Sequence, residues 1–182
     1  VDLAPLREAF LRETAVQAKL RHAHIVSVLD GGEHEGRLFL VVDFIHGQSF
    51  EHWLHERKAG GLDRREAIAL LAKVCRGLAY LHSKGVAHLD LKPANILLDV
   101  GGEPHVTDFG LARRIGSESD LTRSGAVMGT PNYMSPEQAS GQTRAVTTAA
   151  DVFSLGAIFY HLLTGQAPFK AETPLETIRK VV

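Results

Sequence analysis

Apolar residues recur at helical spacing near both ends of the chain. In residues 5–20 they return every three or four positions, although Glu13 and Gln17 share the same stripe. Residues 149–164 are apolar on nearly every side and are followed by Gly165, so we expect a buried helix that ends there. Both segments are long enough for several helical turns, and they predict two of the main helices.

A third helix is predicted for residues 63–85. Asp63 and Glu66 form an Asp version of a capping box, and Lys84-Gly85 is typical of a helix C-terminus. The apolar face predicted for this helix consists of Ile68, Leu71, Val74, Cys75, Leu78 and Leu81.

Shorter apolar runs predict strands between these helices. Runs at 25–29 and 37–44, with Asp30-Gly31-Gly32 as the turn, predict an antiparallel hairpin. Gly47-Gln48-Ser49 is expected to break the pattern before a short helix at 50–57.

Two more strands are expected at 96–98 and 105–107, joined through a turn at Gly101-Gly102. Residues 115–131 are rich in Ser, Thr and Gly, which is typical of an exposed loop.

Composition limits the classes of protein to consider. The chain has 182 residues, and 20 Lys+Arg against 21 Asp+Glu give a net charge of −1, which argues against a non-specific nucleic-acid binder. The length suggests one domain, or one domain and part of another. Residues 152–163 form the longest apolar stretch, which is too short to span a bilayer. Because the chain starts at Val1 and not at Met, we expect a fragment.

Cysteine and histidine give weaker signals. Cys75 is the single cysteine, so an internal disulfide is excluded and a reducing compartment is favoured; we expect it to be a small buried residue. His22, His24 and His34 lack an accompanying Cys or a helical His-x-x-x-His spacing, so we expect no structural zinc site. His52 and His55 lie one helical turn apart, and we expect them on a solvated face of their helix.

The chemistry concentrates in the segment His88-Leu89-Asp90-Leu91-Lys92-Pro93-Ala94-Asn95, followed by Asp108-Phe109-Gly110. Phosphoryl transfer to a hydroxyl needs a carboxylate to accept the proton and a cation near the transferred group. It also needs a carboxylate and a side-chain oxygen to hold Mg²⁺, which prefers oxygen ligands. In that order these parts are Asp90, Lys92, Asp108 and Asn95.

These motifs, with Gly129-Thr130-Pro131 and Ser135-Pro136-Glu137 after them, resemble the eukaryotic-type protein kinase family, in its bacterial serine/threonine branch. The resemblance implies an α+β, two-lobe fold. Residues 1–44 would be part of the small lobe, with its glutamate-bearing helix and two strands but without the Gly-rich loop and strand lysine. Residues 45–182 would be most of the mainly helical large lobe, without its last helices.

The resemblance also implies roles for individual residues. Asp90 would be the catalytic base and Lys92 would contact the γ-phosphate of ATP, while Asn95 and Asp108 would bind Mg²⁺, with Mn²⁺ as an alternative ion. Glu13 would pair with the strand lysine that is absent from this sequence. The residues implied around adenine are the gatekeeper Val42, the hinge residues Asp43 and Ile45, and Leu97 beneath the ring.

Further roles are structural or regulatory. His88 and Phe109 would stack in the regulatory spine, and Asp151 would hold the backbone of the catalytic loop, which is the segment 88–95. Thr130 would shape the site for the acceptor residue, and Glu137 would lack its usual arginine partner. The candidate phosphorylation sites in the loop are Ser117, Ser119, Thr122 and Ser124.

Two departures from the family pattern carry expectations. Leu89 stands where the family has an Arg that pairs with a loop phosphate, so we expect activity without a phosphate in that pocket. Gln17, one helical turn after Glu13, replaces an apolar spine residue, and the lost packing would loosen the active position of that helix. With its missing segments, the chain alone is expected to be weakly stable and inactive.

The leading hypothesis is ATP-dependent phosphorylation of Ser/Thr in protein substrates, with no nucleic-acid partner. The alternative is a pseudokinase that acts as a binding or scaffold module; a small-molecule phosphotransferase is weaker, because that class lacks the Gly-Thr-Pro to Ser-Pro-Glu block. A cytoplasmic location is expected, or the cytoplasmic face of a membrane if a longer protein carries a transmembrane helix elsewhere.

Overall fold

A helix and a β-hairpin form the first part of the chain. The computed structural model describes residues 4–56, 63–108, 113–114, 131–142 and 145–182. Helix α1 spans Ala4–Gln17, and strands β1 (Val28–His34) and β2 (Arg37–Val42) pair antiparallel. This confirms the predicted hairpin.

The predicted position of the hairpin turn was wrong. Residues 30–32 lie inside β1, opposite residues 39–41 of β2, and the turn is made by Glu35 and Gly36, both with positive φ. Gly31 serves helix packing instead, because a Cβ at this position would lie 2.5 Å from Thr14 Cγ2 on α1. The glycine therefore lets α1 rest on the strand.

The second part contains two small antiparallel sheets and five helices in the described residues. Its first sheet has the order β3-β5-β6, and its second pairs β4 with β7. The strands are β3 (Gly47–Ser49), β4 (Val86–Ala87), β5 (Ile96–Asp99), β6 (Pro104–Val106) and β7 (Arg113–Arg114). The helices are α2 (Phe50–Glu56), α3 (Arg64–Ser83), α4 (Pro136–Ala139), α5 (Ala149–Thr164) and α6 (Pro174–Val181).

Helix α3 differs from its prediction in two respects. Asp63 makes no side-chain capping bond, so the predicted capping box was wrong. The buried stripe runs through Ala67, Leu71, Val74, Leu78 and Leu81, a spacing of three and four residues that leaves Ile68 and Cys75 outside it. Ile68 is 56% exposed and Cys75 is exposed, so the predicted burial of Cys75 was also wrong.

Helix α5 has the predicted bounds, and it ends where Gly165 adopts a left-handed conformation with φ 75°. Its burial is narrower than predicted. Ala150, Ser154, Ala157, Ile158 and Leu162 form one buried stripe, whereas Val152 is 63% exposed on the other side. Ala157, Ile158 and Leu162 of this stripe pack into one core, which also contains Phe50, Leu81, Leu91 and Ile96.

The connection between α1 and β1 joins the two parts. The Val26 amide donates to the Val106 carbonyl and the Val106 amide donates to the His24 carbonyl, each at 2.9 Å. The Arg21 amide donates to the Tyr80 hydroxyl of α3 at 3.0 Å. Helix α1 is therefore anchored to α3 and β6 through the segment that follows it. Among the helices of the described residues, none has both the length and the apolar composition needed to cross a membrane.

Gly47 gives a test of this arrangement. It was predicted to be a break, but it begins β3, where a Cβ would overlap the Leu98 carbonyl oxygen and lie 2.8 Å from Asp99 Cα. We expect Gly47→Ala to lower the free energy of unfolding by about 1–3 kcal/mol, because backbone atoms must move to accept the methyl group. Urea unfolding measures this change.

Gly156→Ala is the matched control, because a Cβ at this position in α5 meets nothing within 4 Å. It should leave stability unchanged or raise it by up to about 1 kcal/mol, since alanine is the better helix former. Equal effects of the two substitutions would contradict the β3–β5 packing described here.

Candidate active site

A buried carboxylate organises the candidate site. Asp151, in the first turn of α5, is 0% exposed. Its Oδ2 accepts hydrogen bonds from the His88 amide at 2.9 Å and from His82 Nε2 at 2.7 Å, and its Oδ1 accepts from the Leu89 amide at 2.8 Å. A buried carboxylate is tolerated only with such donors. The two amide bonds also fix the backbone before Asp90, and the His82 bond links the carboxylate to α3.

His88 connects the two motif segments. Its ring is fully buried; Nδ1 lies 3.2 Å from the Asp90 amide, and Nε2 lies 2.9 Å from the Thr107 carbonyl oxygen. An amide can only donate and a carbonyl can only accept, so the imidazole is the neutral Nε2–H tautomer. The ring thereby fixes the residue before Asp108 relative to Asp90.

Asp90, Lys92 and Asn95 form one hydrogen-bonded group. Lys92 Nζ lies 2.7 Å from Asp90 Oδ2, and Asn95 Nδ2 donates to Asp90 Oδ2 at 3.1 Å and to the Asp90 carbonyl at 2.8 Å. The ammonium group of Lys92 thus forms an ion pair with the Asp90 carboxylate. Because both contacts use Oδ2, Oδ1 is the oxygen that an incoming hydroxyl can approach.

Two non-glycine residues of the site have left-handed backbone. Leu89 and Asp108 both have φ 63°, a conformation that costs about 1–2 kcal/mol for most residues. Asp108 follows Thr107, whose amide donates to the Asn95 carbonyl at 3.0 Å. These bonds bring Asp108 and Asn95 onto adjoining segments. Sequence reasoning missed both conformations, because neither Leu nor Asp signals them as Gly would.

Asn95 and Asp108 fit a hard divalent cation. The side-chain nitrogen Nδ2 of Asn95 is committed to Asp90, which leaves the side-chain oxygen Oδ1 for another partner, and Asp108 contributes an exposed carboxylate. Both are oxygen donors of the kind that Mg²⁺ prefers. The described residues hold no cluster of three or more His, Cys, Asp and Glu side chains that could bind a metal ion.

The residues predicted around adenine lie on two connected segments. Val42 ends β2, and Asp43 follows it, with its amide bonded to the Ser27 carbonyl at 2.9 Å. Ile45 is half-buried in the connection to β3, and Leu97 lies on β5 opposite Ser49 of β3. The pairing of β3 with β5 thus places Leu97 beside the end of this connection.

Some of the remaining predicted positions lie in the described residues and others do not. Glu13 is half-buried on α1, next to Thr14, which packs against β1. Glu137 is half-buried on α4. Gln17 is buried, with 6% exposure. The other predicted positions lie outside the described residues; these are Phe109, Ser117, Ser119, Thr122, Ser124 and Thr130.

Tyr133 and its partners are functional candidates that sequence reasoning missed. The Tyr133 carbonyl accepts from Ser154 Oγ at 2.7 Å, and the Tyr133 hydroxyl lies 2.7 Å from His161 Nδ1. Both partners come from α5. Burial raises the pKa of Tyr133 and lowers the pKa of His161, so burial favours a neutral phenol and a neutral imidazole in this hydrogen bond. With Asp90 and Lys92, Tyr133 lines a small pocket at the surface.

Sequence comparison gives three informative matches. The protein kinase domain family matches residues 3–182. The chain is 38% identical over 170 residues to serine/threonine-protein kinase PknB of Mycobacterium leprae (strain TN), which covers 91% of this chain and 27% of that protein. It is 36% identical over 172 residues to probable serine/threonine-protein kinase PknB of Lactococcus lactis subsp. lactis (strain IL1403). This match covers 94% of this chain and 26% of that protein. The chain spans about a quarter of these relatives.

The Tyr133–His161 pair predicts a loss of stability in acid. Burial holds the pKa of His161 below its ordinary value of 6.5, so the unfolded chain takes up a proton at higher pH than the folded one. The contribution of His161 is therefore present above about pH 6.5 and is lost as the pH falls towards its folded pKa. Burial also lowers the pKa of His24, so His24 adds to the loss of stability in acid. Urea unfolding between pH 7.5 and 5.5 measures the slope.

His161→Asn should reduce this acid slope, because it removes the titrating imidazole, while the Asn side-chain amide can still hydrogen-bond to the Tyr133 hydroxyl. The control His34→Asn changes an exposed histidine in β1 and should leave the slope unchanged. A slope that is the same in wild type and in His161→Asn would refute the role given to this pair.

Proposed function

Because the chain belongs to the protein kinase domain family, we propose that it transfers the γ-phosphoryl group of ATP to Ser and Thr hydroxyls of protein substrates, as part of a longer protein. The observation that carries the proposal is the Asp90–Lys92–Asn95 group, held by hydrogen bonds on a loop fixed by Asp151. The names of both relatives, serine/threonine-protein kinase and probable serine/threonine-protein kinase, support the class of acceptor.

The residues divide the chemistry among them. Asp90 orients the acceptor hydroxyl and takes its proton through Oδ1, while Lys92 places a positive charge beside the transferred group. Asn95 and Asp108 would hold Mg²⁺, or Mn²⁺ in its place. The bound ion neutralises charge on the phosphate oxygens. Val42, Asp43, Ile45 and Leu97 are proposed to border adenine.

The division into lobes is proposed at the connection after β2. Residues 1–44 then contribute α1 and the hairpin to the small lobe, with Glu13 directed to the lysine of a preceding strand, and residues 45–182 form the large lobe. The proposed phosphorylation sites are the loop hydroxyls of Ser117, Ser119, Thr122 and Ser124. Dependence on ATP favours a cytoplasmic location or the cytoplasmic face of a membrane.

The pseudokinase alternative is not favoured. The relatives carry the names of kinases, and the four polar residues required for transfer are all present in this sequence. In the described structure, three of the four are already hydrogen-bonded to each other.

Asp90→Asn tests the proposal. In the full-length protein, this change should lower kcat for a Ser/Thr peptide by about 10²–10⁴-fold, because the amide cannot accept the hydroxyl proton. ATP affinity should change little, since Asp90 acts on the acceptor. Radiolabelled phosphate transfer and a fluorescent ATP-binding assay separate the two effects.

Asp63→Asn is the matched control, because this exposed residue makes no side-chain capping bond at the start of α3; it should phosphorylate at the wild-type rate. Peptide phosphorylation that survives Asp90→Asn would overturn the role of Asp90. A full-length wild type that binds ATP without any transfer would support the pseudokinase alternative.

A further inference from the structure

The peptide before the proposed catalytic base is held from two sides. Leu89 has the left-handed φ of 63°, which a leucine keeps only when its surroundings impose it. Its amide donates to Asp151 Oδ1 at 2.8 Å, and its carbonyl accepts from Gln138 Nε2 at 2.7 Å. One contact comes from α5 and the other from α4, so two separate elements fix the direction of the chain entering Asp90.

The Gln138 amide group uses both of its ends. Its Oε1 accepts from the Ser135 amide and from Ser135 Oγ, each at 3.1 Å, which completes the capping box of α4. Ser135 is fully buried, so this end of the amide is fixed. Its Nε2 is then directed to Leu89, 49 residues earlier in the chain. A single side chain therefore links the segment 131–139 to the catalytic loop.

The link joins the two walls of the surface pocket. Asp90 and Lys92 line it from the catalytic loop, and Tyr133 and Met134 line it from the segment that Gln138 belongs to. The spacing between these walls sets where an acceptor residue can lie relative to Asp90. Since Leu89 has an apolar side chain and its amide bonds to Asp151, its backbone carbonyl is the polar group that bonds to the segment 131–139.

We propose that Gln138 is a positioning residue for phosphoryl transfer, which fixes Asp90 relative to the Tyr133–Met134 wall through the Leu89 carbonyl. The inference rests on the proposed kinase function. An amide is required at this position because one oxygen must accept from Ser135 while the nitrogen donates to Leu89. A carboxylate would keep the capping box but lose the donor.

Gln138→Glu in the full-length protein separates these two roles. The introduced carboxylate can still accept from Ser135, and Ser-x-x-Glu is itself a favourable capping box, so the melting temperature should stay within about 2 °C of wild type. At pH 8, kcat for a Ser/Thr peptide should fall at least about tenfold, because the Leu89 carbonyl loses its donor. ATP affinity should be unchanged.

The pH profile gives a second readout. A protonated carboxyl group can donate a hydrogen bond, so the deficit of Gln138→Glu should shrink as the pH is lowered from 8 to 5.5. Gln142→Glu is the matched control: it makes the same chemical change at an exposed position four residues later. It should follow the wild-type kcat and pH profile.

Three outcomes would count against the proposal. An active wild type with an equally active Gln138→Glu would overturn the positioning role alone, as would a deficit that is independent of pH and matched by a fall in melting temperature. Absence of transfer in wild type itself would overturn the proposed function and this inference with it. A pH-dependent loss in Gln138→Glu only, with wild type active and Asp90→Asn inactive, supports both.

Discussion

The site depends on one buried carboxylate. Asp151 is fully enclosed, and in the described structure its two oxygens accept from His82, His88 and Leu89. Burying this charge is unfavourable by several kcal/mol unless donors surround it, so the carboxylate and the catalytic-loop backbone require each other. The left-handed conformation of Leu89 follows from this demand, because its amide must point to α5 while the chain turns towards Asp90.

Hydrogen bonds between mostly neutral groups extend from Asp151 to the rest of the site. The His88 ring bonds to the Thr107 carbonyl, next to Asp108, and Asn95 bonds both to the Thr107 amide and to Asp90. Among the described residues, Lys92 is the cationic side chain of this network, and its ammonium group forms an ion pair with Asp90. In the proposed kinase mechanism, this hydrogen-bonded framework would hold Asp90 and Lys92 in place before substrate binds, and such positioning contributes to rate.

The sequence predicted the parts that depend on local pattern, among them the bounds of α5, the β5–β6 hairpin and the family. The contact of Asp151 with the backbone of residues 88–89 was expected through the family resemblance, whereas local pattern could not predict the other contacts between distant segments. Nothing near Gln138 indicates that it bonds Leu89, 49 positions away, and Tyr133 meets His161 only after folding. Gly31 resembled a turn residue because a strand glycine required by the close approach of Thr14 gives the same local signal.

Amide hydrogen exchange at Leu89 in wild type and Asp151→Asn tests the account most directly. The account predicts slow exchange in wild type and exchange faster by about 10–100-fold in the variant, since the amide loses a charged acceptor. The Val106 amide, bonded to the His24 carbonyl at 2.9 Å, is the reference and should change much less. Equal protection of Leu89 in both proteins, or equal acceleration of Leu89 and Val106, would contradict a local anchor at Asp151.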